Sequence, residues 1–98
     1  MRVFEAPFKT TRGALERTLL VLGYTPSFGK NEFGFPFVEY HHADSGALIA
    51  LRSAPADEPI YDGDLLRAEH SVEWFGVASR DQFYILLQQQ TSEEVKAA

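Results

Sequence analysis

The chain has 98 residues and no cysteine, with 9 basic against 14 acidic residues and a formal net charge of -5 at pH 7. A domain of this length buries about two-thirds of its unfolded surface, enough for one modest core and no second domain. The composition excludes disulfides, Cys-based zinc sites and thiol nucleophiles, and no run approaches the roughly 18 apolar residues of a membrane span. The N-terminus lacks an apolar segment followed by a cleavage site. We therefore expect a cytoplasmic protein without a membrane partner.

The first predicted helix follows Thr10 or Thr11, either of which can accept a hydrogen bond from a free backbone N–H as the N-cap. Its apolar positions repeat at i, i+4 and i+7, at Leu15, Leu19 and Leu22. Gly23 lies where a left-handed residue commonly ends a helix.

Three strands are predicted next, over residues 24–28, 33–42 and 47–52. Alternation of large and small residues gives the second and third strands the period of a pleated sheet. Pro36 cannot donate to a neighbouring strand, which favours an edge or a bulge there. The turns at 28–31 and 43–46 favour antiparallel pairing.

Residues 53–61 form a loop, and two helices follow it. The first opens at Asp62 or Gly63 and ends at Gly76, whereas the second opens at Ser79, with Gln82 completing a capping box. The fold class is therefore α+β. We expect a single small domain over residues 1–90, in α-β-β-β-α order, with an antiparallel sheet covered on one face and a C-terminal helical hairpin. Residues 91–98 hold one large apolar side chain and are predicted to be a disordered tail.

Six short segments are distinctive: Leu22-Gly23-Tyr24, the turn and strand from His42 to Leu51, Asp57-Glu58-Pro59-Ile60, Asp64-Leu65-Leu66-Arg67, Gly76-Val77, and Phe83 with Leu86 and Leu87. In their order and spelling they resemble the HicA-like (YcfA-like) toxins of bacterial toxin–antitoxin pairs. The resemblance implies a fold similar to double-stranded RNA-binding domains, mRNA cleavage as an endoribonuclease, and an antitoxin-type protein partner. The chain departs from the family at its signature "GSH" step, where Phe35-Pro36-Phe37 stands and Phe37 replaces the histidine.

His42 and His41 are the candidate catalytic residues, because histidine titrates near neutral pH and can act as a general acid or base on RNA. Neighbours on a strand point to opposite faces, so the two side chains are not expected to act together. In the alternative interpretation both are polar residues at a strand end, one of them bonded to Asp44. The histidines and Asp44 make an incomplete ligand set for a metal, so we expect neither a metal nor another cofactor.

The candidate nucleic-acid-binding residues are Arg12, Arg17 and Lys30. They belong to a basic N-terminal part: residues 1–30 carry five basic and two acidic side chains, and residues 31–98 carry four basic and twelve acidic ones. Three cations predict weak, salt-sensitive phosphate binding.

A second group of residues is predicted to bind a protein partner. It comprises the strand aromatics Phe35, Phe37 and Tyr40 and the acidic residues Asp62, Asp64, Glu69 and Glu73. Aromatic side chains are favoured at interface centres, and a row of carboxylates suits a basic partner. Core packing and a solvated helix face are the alternatives. Two functions therefore stay open: an RNA-binding or mRNA-cleaving toxin relative, and a catalytically inactive protein-interaction module of the same fold.

Overall fold

Six elements follow one another within residues 8–97. They are α1 (Arg12–Val21), β1 (Thr25–Lys30), β2 (Pro36–His42), β3 (Ala47–Arg52), α2 (Asp62–Trp74) and α3 (Arg80–Ala97). The structure is a computed structural model that describes residues 8–97, with side chains through residue 94. The strands form one antiparallel sheet in the order β1-β2-β3. The expected α+β architecture with a C-terminal helical hairpin is thereby confirmed.

The sheet has one covered and one open face. Burial alternates strictly along β3, and Val38 and Tyr40 of β2 lie opposite Leu51 and Ile49 on the buried side. The helices cover that side, where their apolar positions complete the core. These buried helical residues are Ala14, Leu15, Leu19, Leu65, Ala68, Val72, Phe83 and Leu87. The other face carries no helix among the described residues, so its side chains remain available to solvent.

Helices α1 and α2 end in the same glycine motif. Gly23 has a φ of 99°, its N–H donates to the Leu20 carbonyl, and the Tyr24 N–H donates to the Leu19 carbonyl at 3.0 Å. Gly76 repeats the arrangement at the end of α2, with a φ of 70°. These bonds satisfy carbonyls that the helix leaves unpaired, and the positive φ favours glycine.

The predicted helix starts are also confirmed. The Ala14 N–H donates to Thr11 Oγ1 at 3.2 Å, which makes Thr11 the N-cap of α1. Before α3, the Gln82 N–H donates to Ser79 Oγ at 3.1 Å and the Ser79 N–H donates to Gln82 Oε1 at 3.0 Å. This reciprocal pair is the expected capping box.

Helix α3 continues to Ala97, through the segment for which the sequence predicts a tail. Its last turns contact α1. The Glu94 carboxylate accepts hydrogen bonds from Thr11 Oγ1 at 2.8 Å and Arg17 Nη2 at 2.7 Å, and Thr91 Oγ1 lies 2.6 Å from Thr10 Oγ1. These polar contacts explain why the helix extends past the point where its apolar face ends.

A buried ion pair joins α1 to α2. The Arg12 side chain is 2% exposed and Asp64 is 1% exposed, with Arg12 Nη1 at 3.4 Å from Asp64 Oδ2. Arg52 Nε lies 3.7 Å from the same oxygen, and Arg67 Nη1 lies 3.6 Å from Asp64 Oδ1. Burial raises the pKa of the neighbouring Tyr40 hydroxyl to about 12, and the Arg12 guanidinium partly offsets this rise. The hydroxyl therefore stays protonated at neutral pH.

Asp64→Asn is expected to destabilise the protein by about 3 kcal/mol, because it leaves the buried Arg12 charge without its carboxylate. Urea unfolding at neutral pH measures the effect. Asp62→Asn is the matched control, since Asp62 is exposed in the first turn of the same helix, and it should cost less than about 1 kcal/mol. Equal losses for the two variants would contradict a stabilising role for the pair.

Glu94→Gln tests the contact between α1 and α3. Hydrogen bonds from Arg17 and Thr11 hold the pKa of Glu94 below its ordinary value. A carboxyl whose pKa is lower in the folded state stabilises the fold above its unfolded pKa, and this contribution disappears as the pH falls through the folded pKa. The unfolding midpoint of the variant should therefore be lower at pH 7, and its difference from the parent chain should shrink as the pH falls below about 4.3, the ordinary pKa of glutamate. A difference that is constant with pH would contradict this assignment.

Candidate partner-binding surface

The loop between β1 and β2 is held in one shape by Asn31. Its Oδ1 accepts hydrogen bonds from the N–H groups of Phe33 at 2.9 Å and Phe35 at 3.0 Å. The Asn31 N–H donates to the Phe35 carbonyl, and Gly34, with a φ of 83°, donates to the Asn31 carbonyl. The side chain of Asn31 thus replaces a strand partner inside the loop. The two phenylalanines are consequently displayed on a fixed backbone.

Three phenylalanines of this hairpin are exposed. The exposed fractions are 79% for Phe28, 76% for Phe33 and 66% for Phe35. Single exposed apolar residues are common, but several on one hairpin are typical of an interaction site. Phe28 and Phe33 were not in the predicted partner-binding set. The Asn31 and Gly34 turn was the sequence signal that would have placed Phe33 at an exposed tip.

Phe35 lines a shallow groove on the open face of the sheet. The groove is lined by Asn31, Phe35, Pro36, Phe37, Glu39, Ala50, Leu51 and Arg52. Phe37 lies across from Gly29, and a Cβ at Gly29 would stand 3.0 Å from the Phe37 ring. The absence of a side chain at Gly29 therefore leaves room for the Phe37 ring to pack over β1. The floor is mainly apolar, with a carboxylate and a guanidinium at its sides. We call the exposed side chains of Phe33 and Phe35 and the half-buried side chain of Phe37, with this groove, the aromatic surface.

The other residues predicted to bind a partner do not join the aromatic surface. Tyr40 is 3% exposed in the core. Asp64 is in the buried ion pair, and the Glu69 carboxylate accepts hydrogen bonds from Arg80 Nε and Tyr84 Oη, each at 2.6 Å. Burial and the bond to Glu69 raise the pKa of Tyr84. The exposed members of the acidic set are Asp62 and Glu73 on α2.

Both ring nitrogens of His42 are engaged in hydrogen bonds within the chain. Nε2 lies 3.1 Å from the Leu22 carbonyl, which only accepts, so Nε2 carries the proton. Nδ1 then accepts from the Ser45 N–H at 3.3 Å and from its hydroxyl at 2.8 Å. The ring also packs against Tyr24, with centroids 5.1 Å apart. His42 therefore fastens the turn before β3 to the end of α1.

His41 points the other way, as the alternation along β2 requires. It is on the open face, its side chain is 52% exposed, and its Nε2 is 3.8 Å from Glu39 Oε2. The two histidines are therefore on opposite faces of the sheet and do not form one site. Within the described side chains, no group of three or more His, Asp or Glu residues is arranged to hold a metal ion.

The candidate nucleic-acid-binding residues are dispersed. Arg12 is buried, Arg17 pairs with Glu94 at 2.7 Å, and Lys30 is exposed on β1. Within residues 8–94, each arginine lies within ion-pair distance of a carboxylate. The pairs are Arg12 with Glu16 and Asp64, Arg17 with Glu94, Arg52 with Glu58 and Asp64, Arg67 with Asp64, and Arg80 with Glu69.

Comparison with known proteins gives no relative. A scan against models of protein families, a search of curated proteins and a search of solved structures each found no significant match. In the part of the chain that the structure describes, no helix is both long enough and apolar enough to cross a membrane.

His42→Ala is expected to lower the free energy of unfolding by about 1–2 kcal/mol, because the bonds to Leu22 and Ser45 are lost together with the packing on Tyr24. His41→Ala is the matched control on the same strand and should change stability by less than about 0.5 kcal/mol. Chemical denaturation compares the two variants. A His42→Ala variant as stable as the parent chain would contradict the conclusion that this ring holds the turn before β3 to the end of α1.

Proposed function

We propose that the protein is a binding module whose aromatic surface docks a protein partner that carries apolar and basic side chains. The observation that carries this proposal is the pairing of every described arginine with a carboxylate, while phenylalanines remain exposed. A guanidinium that is already paired with a carboxylate must give up part of that interaction to neutralise a phosphate, so its net contribution to phosphate binding is smaller. The balance between the two expected functions therefore favours the protein-interaction module.

The surface charge supports a basic partner. Seven exposed carboxylates have no ion pair with another described side chain: Glu32, Asp44, Asp57, Asp62, Glu73, Asp81 and Glu93. Glu32 is in the hairpin loop, next to Phe33. Carboxylates around an apolar patch steer a positively charged partner and fix its orientation, while the aromatic rings supply the buried area.

The loop geometry supports a binding role for the two loop phenylalanines. A side chain on a fixed backbone loses little conformational freedom on binding, so a larger part of its interaction energy contributes to affinity. Phenylalanines that fill pockets of a partner are also typical anchors, since each buries a large apolar area. The bonds that Asn31 accepts from Phe33 and Phe35 are therefore part of the proposed site.

Selection of peptides from a random displayed library by the full chain tests the proposal. The selected peptides should combine aromatic or aliphatic residues with Lys or Arg. Their affinity, measured by fluorescence anisotropy, should fall at least about tenfold in the double variant Phe33→Ser/Phe35→Ser. Trp74→Ser is the matched control, because Trp74 is 84% exposed on α2. Peptides that bind both variants equally would contradict the proposed site.

Titration with RNA addresses the competing function. Single-stranded and double-stranded oligonucleotides at about 150 mM salt should show no saturable anisotropy change below about 100 µM protein. Saturable binding that weakens with salt and is lost in Lys30→Ala would instead support the RNA-directed function and refute the protein-binding one. RNA cleavage by the natural chain that is lost in the His41→Ala variant would also refute the protein-binding function.

A further inference from the structure

Among residues 8–97, no strand lies beside the outer edge of β1. The Asn31 N–H donates toward β2, to the Phe35 carbonyl at 2.9 Å. Because backbone groups alternate in direction along a strand, the N–H and C=O groups of Lys30 and Phe28 point away from β2, as does the Pro26 carbonyl. The strand order places β1 at one end of the sheet within the described residues. This edge therefore offers two donors and three acceptors.

We propose that the β1 edge pairs with the β1 edge of a second copy of this chain, antiparallel and across a two-fold axis at Phe28. In this register the two Phe28 residues exchange N–H to C=O hydrogen bonds. Lys30 of each copy then lies opposite Pro26 of the other and donates its N–H to the proline carbonyl. Each outward N–H group thus has a carbonyl partner on the other copy. Only the Lys30 carbonyl has no partner, because Pro26 opposite it has no N–H. This carbonyl lies at the rim of the pairing, where it can bind water.

The side chains favour the same register. Phe28 is on the helix side of the sheet but lies beyond the helices, since β1 packs mainly against β2, and its ring is 79% exposed. Opposite residues of an antiparallel pair share a face, so the two rings would cover each other as an aromatic pair. The Lys30 ammonium groups would belong to positions about 14 Å apart, where their repulsion is weak.

Other registers are less suitable. Centring the axis on Lys30 would place two like charges directly opposite each other, which is unfavourable. Placing Lys30 opposite Phe28 would form as many hydrogen bonds, but it would separate the rings and bring the lysines closer. Centring on Pro26 would lose both donors at the axis. The symmetric pairing at Phe28 also leaves neither copy with a free β1 edge. The assembly therefore stops at a dimer, with one six-stranded sheet.

Cysteine cross-linking of the full chain tests the register, because the natural sequence contains no cysteine. At the axis, the Cα atoms of a hydrogen-bonded pair are about 5.5 Å apart, within disulfide range. Phe28→Cys should therefore form a disulfide-linked dimer in glutathione buffer at least about tenfold faster than Ser27→Cys. Ser27 is the matched control, since it is exposed on the same strand but would lie diagonally from its symmetry mate. Equal rates would overturn the proposal.

Sedimentation equilibrium provides the second measurement. The apparent mass of the natural chain should rise toward that of two chains as its concentration approaches about 1 mM, as expected of a small interface. Phe28→Pro should remain at the mass of one chain, because it removes an outward N–H that the chain's own β1–β2 pairing does not use. A natural chain that stays monomeric throughout would refute the dimer. Phe33→Ser/Phe35→Ser should still dimerise, which separates this outcome from that of the peptide selection.

Discussion

The buried pair of Arg12 and Asp64 is the constraint on which the arrangement of the elements depends. Transfer of two charges out of water is costly, so the pair persists only where its partners are held in place. Backbone hydrogen bonds hold the Arg12 side of the pair in place. The Arg12 N–H donates to the Glu58 carbonyl at 2.9 Å, and the Gly13 N–H donates to the Ala56 carbonyl at 2.8 Å. A Cβ at Gly13 would stand 3.0 Å from that carbonyl oxygen, so glycine permits the close approach. The start of α1, the loop before α2 and the start of α2 are thereby fixed together.

The same electrostatic arrangement connects the fold to its surface. Arg12, Arg17 and Arg67 each lie within ion-pair distance of a carboxylate, which offsets part of their charge. The exposed carboxylates without such a partner give the described surface an acidic balance. Within residues 8–97 the helices cover one side of the sheet, and no helix or strand of this range covers the opposite side or the β1 edge. An open face with aromatic side chains and an edge with unpaired backbone groups suit two different contacts. The proposed protein partner would bind the face, whereas the proposed second copy would pair with the edge.

Local signals made much of the fold predictable. The cap at Thr11, the glycine ends at Gly23 and Gly76, and the capping box of Ser79 with Gln82 each involve residues a few positions apart. The extension of α3 was not predictable in this way, because Thr91 and Glu94 contact residues about eighty positions earlier in the chain. The resemblance to HicA-like toxins stays a prediction, because the family and structural comparisons found no match.

The sequence by itself determined the element order, the antiparallel sheet and the alternation that separates His41 from His42, because these follow from backbone periodicity and short-range hydrogen bonds. Only the tertiary structure decided which polar side chains became internal and which aromatic ones stayed outside. Arg12 is buried because Asp64, fifty-two positions later, faces it from another helix. Phe28 is exposed because, among the described residues, β1 packs mainly against β2 and not against the helices. Burial depends on partners that are distant along the chain, and no local pattern specifies them.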